Sequence, residues 1–300
     1  MKHYQTVMIG HVTQDINIDC EGVTVKGPGG AVLYSSAAAK ALGHSVAVIT
    51  KVSDGGSDRL SGFTIPKEDI IRLEAKADTD MKNVYLTPDK ERRNNTCLSR
   101  GDAFTPSDIP GEITADIYHL AGLLYGDYRE DLIAHLSGRG KVAVDVQGYL
   151  RHADFANGGK MYFENWREQE KYLPLIDFLK TDAAEAEIMT GTDDRERAAK
   201  ILFERGAKEI VITHNKEVLA YDGKRICTCP IRARNLSGRT GRGDTTFASY
   251  INERLTVSVP EALLTATAAV SLKMETPGPM KADRADVENY IRAFYSDYTA

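Results

Sequence analysis

A three-layer α/β fold with a mostly parallel central sheet is predicted by three features of this 300-residue chain. Short β-branched runs alternate with longer helical stretches, the runs are continuously apolar, and the last third is helical in character. Strands buried on both faces read as unbroken apolar runs, and helices between them imply parallel crossovers. The runs fall at residues 7–9, 46–49, 117–120, 142–146, 175–178 and 210–213. Helical patterns occupy 31–42, 130–137, 183–190 and 195–205, then 244–255, 260–273 and 283–298.

Two stretches break that rhythm. Residues 15–26 alternate polar groups with Ile16, Ile18, Val23 and Val25, and residues 81–98 do the same around Pro88-Asp89-Lys90. Period-two alternation implies one wet face and one buried face. The expectation is one domain over 1–300 with a small strand-built appendage inserted at 15–26 and 81–98.

Composition narrows the function classes. Hydrophobic residues make up 42% and charged residues 27%, enough for a full core. The net charge is -5 with both signs interspersed, so no polyanion-binding surface and no nucleic-acid partner is expected. The densest basic cluster, 90–93, contains Glu91 and reads as a solvated turn. No window approaches the roughly 20 apolar residues of a membrane helix, and the start carries no leader pattern. Cys20, Cys97, Cys227 and Cys229 are few for the length, which fits a reducing, cytoplasmic setting. Cys227 and Cys229 would share one face of a strand as small apolar residues, with no Cys/His pair nearby to complete a zinc set.

The stretch that carries chemistry is Asn235-Leu236-Ser237-Gly238-Arg239-Thr240-Gly241-Arg242-Gly243-Asp244-Thr245-Thr246-Phe247-Ala248. Its glycines allow successive N–H groups to converge, and a helix follows at once. A glycine turn opening a helix is an anion site, because unpaired N–H groups and the positive dipole end coincide. Asp244 there is either the helix cap or a base for a hydroxyl beside the anion. No lysine follows the last glycine, so this is not a Walker A loop.

The segment resembles the C-terminal signature of the ribokinase-like (PfkB-type) carbohydrate kinases, Asp-Thr-x-Gly-Ala-Gly-Asp, matched at Thr240, Gly241, Gly243 and Asp244. Gly238 and Arg239 depart from its Asp-Thr, and Arg242 replaces its Ala. Further matches fall in order. Gly10 to Asp15 is similar to the family's opening strand end, and Gly29-Gly30 to its glycine pair. Asp182 and Glu185 stand where it has Asn-x-x-Glu. The resemblance implies the ribokinase-like fold with a small β-strand lid, and an ATP-dependent kinase acting on a hydroxyl of a small sugar or polyol. It implies Asp244 as base and Gly241, Arg242 and Gly243 as anion hole. Asp15, Gly29, Gly30, Tyr34 and Asp145 would bind the acceptor, and Thr213, Thr240, Gly241 and Gly243 the nucleotide. Glu185 and Asp182 would orient Mg2+ through water, with a monovalent cation as a further cofactor.

Residues 266–273 and Thr276-Pro277-Gly278 resemble the helix and turn that flank the adenine. Lids of this kind pair between subunits, which implies a homodimer. The apolar Ala31-Val32-Leu33-Tyr34 keeps inositol and nucleoside acceptors open, as well as a vitamin-like hydroxymethyl compound. A non-catalytic ligand-binding relative is the alternative of another class. His11, His44, His119 and His214 read as packing or surface histidines.

Overall fold

The continuous apolar runs lie side by side in one nine-stranded sheet, buried on both faces. The computed structural model describes residues 2–88 and 92–298, so Asp89, Lys90 and Glu91 of the expected turn lie outside the described residues. In chain order the first strands are β1 (Lys2–Ile9), β2 (Thr13–Ile18), β3 (Thr24–Gly29), β4 (Val46–Val52), β5 (Ile70–Glu74), β6 (Thr79–Tyr85) and β7 (Arg93–Ser99). Then come β8 (Ile113–Leu120), β9 (Lys141–Asp145), β10 (Arg151–Asp154), β11 (Lys160–Phe163), β12 (Phe178–Asp182), β13 (Ile210–Thr213), β14 (Glu217–Tyr221) and β15 (Ile226–Pro230). The helices are α1 (Ala31–Ala41), α2 (Asp131–Ser137), α3 (Gln147–Leu150), α4 (Gln169–Tyr172), α5 (Ala183–Thr190), α6 (Arg195–Glu204), α7 (Arg242–Glu253), α8 (Val259–Met274) and α9 (Arg284–Phe294).

The large sheet runs β15-β14-β13-β12-β9-β8-β1-β4-β5. Every neighbour pair from β13 to β5 is parallel, and β14 and β15 add an antiparallel hairpin. Residue parity divides the core between two helix layers. Leu179, Ile210 and Ile212 pack with Ala198 and Leu202 of α6 on one face. Phe178 and Val211 pack with Phe247, Ile251 and Ala266 of α7 and α8 on the other. Helix starts follow local chemistry: α5, α8 and α9 each open on a capping box, at Asp182, Ser258 and Asp283. No helix among the described residues is long and apolar enough to cross a membrane.

A second sheet runs β10-β11-β7-β6-β2-β3 and stands over one edge of the first. Its β2, β3, β6 and β7 come from the two alternating stretches, while β10 and β11 form a third contribution that carries no such pattern. The expected polarity is reversed. The buried positions of β2 are Thr13 and Asp15, and those of β6 include Thr79, Asn83 and Tyr85. Val23 and Val25 are 55% and 60% exposed, and Leu98 is exposed as well. The inner face looks onto a polar cavity instead of an apolar core, so the alternation holds while the buried side is the polar one. Cys227 and Cys229 are both buried in β15, as their spacing implies.

Two boundaries differ from expectation. The run 175–178 is not a strand as a unit: a 3-10 turn covers Leu173–Leu175, driven by Pro174, and β12 begins only at Phe178. Asp244 is not the cap of α7, because that helix already begins at Arg242, with Gly241 at φ 78 as its N-cap. The left-handed turn at Gly241 lets the chain enter the helix two residues before Asp244.

Glu209, just ahead of β13, ties the sheet to α7. It accepts from Tyr250 Oη at 2.5 Å, Arg254 Nε at 2.9 Å and Arg254 Nη2 at 3.0 Å. Glu209→Ala strands a buried phenol and leaves the guanidinium without its carboxylate, so urea denaturation should show a loss of about 3 kcal/mol. Glu209→Gln, which keeps an acceptor, should lose distinctly less.

Candidate active site

The carboxyl ends of the parallel strands point at the space under the second sheet. Gly30 just after β3, Gln147 just after β9, and the last residues of β12 and β13, Asp182 and Thr213, reach the wall of a cavity of about 360 Å3. Open α/β sheets place ligands at that edge, because the turns there expose unpaired backbone groups. The amino end of α7 supplies the floor with Arg239, Thr240, Gly241, Arg242, Gly243 and Asp244.

Thr245 N makes the first backbone bond of α7, to Gly241 O at 2.9 Å. Arg242 N donates to Arg239 O at 3.2 Å, so the expected anion-hole donor Arg242 is spent within the turn. The amides of Gly243 and Asp244 have no backbone acceptor among the described residues. The unpaired amides therefore sit one residue further along than expected, with Gly241 as the hinge that aims them. Any side chain at Gly241 would run into the Tyr34 ring, which fixes α1 against the turn.

Asp244 projects from this first turn. Burial pushes its carboxyl up to about 6 and Asp145 adds to the shift, against the opposing charges of Lys180, Lys273 and Arg151. A carboxylate held near neutrality by a poorly solvated site suits a base that accepts one proton and releases it later. On the facing sheet Asp15 is buried, and Thr13 Oγ1 donates to its Oδ1 at 2.6 Å. Burial raises Asp15 also, with the Thr13 bond opposing. Gly29 is required by Asp15 itself, whose carboxylate occupies the space of any Cβ there. Gly30, at φ 99, lies against His11 O, where a Cβ would clash.

Two expected residues take other places. Asp145 does not line the cavity; it lies beneath it, bonded to Lys180 Nζ at 2.9 and 3.1 Å. Glu185 is likewise below the wall, its Oε2 accepting from Asp182 N at 2.7 Å while Asp182 Oδ1 accepts from Glu185 N at 2.8 Å. That is the capping box of α5, so half of each carboxylate is committed, and only Asp182 reaches the cavity. No cluster of three His, Cys, Asp or Glu able to hold a metal occurs among the described residues. The donor set fits a hydrated cation shared with a ligand's phosphates and does not form a protein cage. Thr213 and Thr240 both line the cavity.

Several residues at or beside the cavity are absent from the sequence reading. Asn17, Asn83 and Asn95 form an amide row across β2, β6 and β7, with Asn95 Nδ2 donating to Asn83 Oδ1 at 2.5 Å and Asn83 Nδ2 to Asn17 Oδ1 at 3.0 Å. Tyr85 Oη pairs with Thr240 Oγ1 at 3.0 Å, joining the second sheet to the glycine turn. Arg93 and Arg151 face the same space. Lys180 lies inside β12, and its signal is legible in retrospect: an ammonium interrupting a buried run. Lys273 donates to the carbonyls of Gly238 and Thr240 and sits over the Tyr34 ring at 5.0 Å. The histidines pack: His119 lies edge-on to Phe247 and burial holds it at about 3, His11 stacks near Phe104, and His44 pairs with Glu253.

Comparison with known proteins places this geometry. Residues 5–285 match the model of the pfkB family carbohydrate kinases. A cytidine kinase of Thermococcus kodakarensis is 26% identical over 266 residues, 82% of this chain and 86% of that one. A pyrophosphate-dependent kinase in the ribokinase family, solved with a pyrophosphate analog and myo-inositol, superposes with a TM-score of 0.84 at 32% identity, covering 95% of this chain and 99% of that one. The Arabidopsis thaliana ribokinase complexed with ribose and ATP superposes with a TM-score of 0.76 at 15% identity, over 97% and 99% of the two chains, and shares the fold.

With Asp244 as base, kcat/KM should fall as pH drops through about 6, because the carboxyl is then protonated. Asp244→Asn should lower kcat by roughly 100-fold or more and abolish that acid limb. Because burial raises this carboxyl above its unfolded value, ionising it opposes folding above that range. The Asn variant should therefore melt at or above the wild-type temperature at pH 8, which calorimetry checks.

Proposed function

The chain belongs to the pfkB family of carbohydrate kinases, and on that premise we propose that it transfers a phosphoryl group from pyrophosphate to a ring hydroxyl of an inositol-like polyol. The observation that carries the donor is the set of cations around the amino end of α7: Lys180, Arg239, Arg242 and Lys273. Together with the helix dipole they suit a compact, highly charged donor.

The loop that resembles an adenine flank is held by its own contacts, which supports a donor without a base. Gly238 N donates to Met274 O at 2.7 Å, Ser237 Oγ to Glu275 O at 2.8 Å, and Arg234 pairs with Glu275. These bonds fasten the loop before the glycine turn directly onto the end of α8, the part that resembles an adenine flank. The pyrophosphate-dependent relative bound to myo-inositol supports the same pairing of donor and acceptor. ATP is the second reading, favoured by the ATP-bound Arabidopsis thaliana fold relative.

For the acceptor, the facing wall supplies Asp15, Asn83, Asn95, Arg93 and Gln147, a mixture of donors and acceptors with few apolar atoms. Such a wall suits a ring bearing many hydroxyls more than a base that needs stacking. Asp244 takes the proton of the attacking hydroxyl as the new O–P bond forms and the bond to the leaving phosphate breaks. The amides of Gly243 and Asp244 hold the migrating group, so most of the catalysis is positioning and charge stabilisation. Mg2+ would lie on the donor's phosphates with Asp182 orienting one of its waters, and would neutralise charge on the leaving group.

The second sheet acts as a lid that excludes water. Its outer face carries Ile16, Ile18, Val84 and Leu98 and suits a second copy of the chain. The four cysteines are free thiols, in keeping with a cytoplasmic location.

A transfer screen of pyrophosphate and ATP against inositols, pentoses, hexoses and nucleosides is expected to give turnover with pyrophosphate and an inositol. Turnover confined to ATP and a nucleoside would refute both halves of the assignment. In sedimentation, the wild type is expected to be a dimer and an Ile16→Glu, Leu98→Glu variant a monomer. A wild type that stays monomeric at assay concentration would dispose of the lid-to-lid contact.

A further inference from the structure

Most buried charges in this molecule close a structural contact, as Glu209 does with Arg254. Lys180 is different. It interrupts a buried strand, is only 5% exposed, and lies on the face of β12 that meets α7. Burying an ammonium costs several kcal/mol unless it is paired and fully bonded. An ammonium has three donors. Lys180 gives its hydrogen bonds to the two oxygens of Asp145, at 3.1 and 2.9 Å, while Glu185 Oε2 stands off at 3.9 Å. The remaining N–H has no acceptor among the described residues, and the side chain borders the cavity.

What it faces is the first turn of α7. Its Nζ lies 3.2 Å, and its Cε 3.3 Å, from the point where a Cβ on Gly243 would stand. Glycine at that position leaves the ammonium open to the same space as the amides of Gly243 and Asp244. Burial alone would lower the Lys180 ammonium, but Asp145 and Glu185 outweigh it and keep it charged.

Resting on the phosphoryl-transfer reading above, we propose that Lys180 is a catalytic residue whose ammonium bonds a non-bridging oxygen of the transferable phosphoryl group, with Asp145 as the positioning residue that aims it. In the transfer the acceptor O–P bond forms while the bond to the leaving phosphate breaks. The hydroxyl proton goes to Asp244, and Lys180 retains its three protons throughout. Asp145, Asp182, Glu185 and Asp244 surround the ammonium, so it also offsets the mutual repulsion of four acids beside an incoming polyanion.

The test compares the wild type with Asp145→Asn, Lys180→Met, and the double variant. Removing only Lys180 leaves a buried carboxylate unpaired and risks misfolding, whereas the double variant removes both charges. Within the Asp145→Asn background, Lys180→Met is expected to lower kcat about 100-fold and to weaken imidodiphosphate binding about tenfold. The acceptor KM should move less than threefold and the melting temperature should not fall. If Lys180 is only the counter-ion of Asp145, the double variant will match Asp145→Asn within threefold in both kcat and imidodiphosphate affinity, and the proposal is overturned. A wild type that binds imidodiphosphate in a Lys180-dependent way, yet transfers phosphate to no polyol, defeats the functional reading and leaves the Lys180 contact standing. A wild type that binds neither imidodiphosphate nor the imido analogue of ATP overturns both.

Discussion

The positive end of α7 stands at the carboxyl edge of a parallel sheet, and the surrounding structure is arranged to keep that pole open and balanced. Gly241 turns the chain so that the helix begins two residues before Asp244, which puts the carboxylate beside the unpaired amides. A base set next to an anion site must be neither fully solvated nor fully neutralised. Burial and Asp145 raise it, and Lys180 and Lys273 restrain it. On the proposed reading, the same cations that restrain Asp244 would attract a polyanion to the amides, so acid–base chemistry and phosphate binding would share one set of charges.

The second sheet answers to the same requirement. The proposed hydroxyl-rich acceptor would need a wall of hydrogen-bonding groups, and Asp15 of β2, Asn83 of β6 and Asn95 of β7 turn inward and supply one. The Asn17–Asn83–Asn95 row is satisfied internally and presents its remaining amide valences to the cavity. The Tyr85–Thr240 bond makes the wall and the glycine turn one mechanical unit. Apart from Met81 and Cys97, which are buried, the apolar residues of these strands face outward, because this sheet covers a cavity and not a core.

Much of the site was readable because it depends on short-range order. Gly241, Gly243 and Asp244 are adjacent, and the turn-to-helix geometry that joins them needs no distant partner. Asp15 and Gly29 were picked out separately, but their reason for being together is β2–β3 pairing, in which the carboxylate fills the space over the glycine. Arg151, Asn83 and Asn95 could not be assigned by local pattern. A charged or amide residue in a strand looks the same whether it faces water or a cavity. Asp145 and Glu185 were recognised as important acids and misplaced, since depth beneath a cavity wall has no signature along the chain.

By itself the sequence determined the alternation of core strands and helices, the mostly parallel sheet and the glycine turn, because these follow from residue periodicity and backbone freedom over a few positions. Periodicity also required the second sheet to have one polar face and one apolar face. Only the tertiary structure decided which face was inward, which carboxylates reached the cavity and which amides stayed unpaired. Those outcomes depend on what a residue meets across the fold, where Arg239 O can claim the Arg242 amide and Lys180 can bind Asp145 35 positions away. Pairing across such distances is set by packing, and packing is where this chain assembles its chemistry.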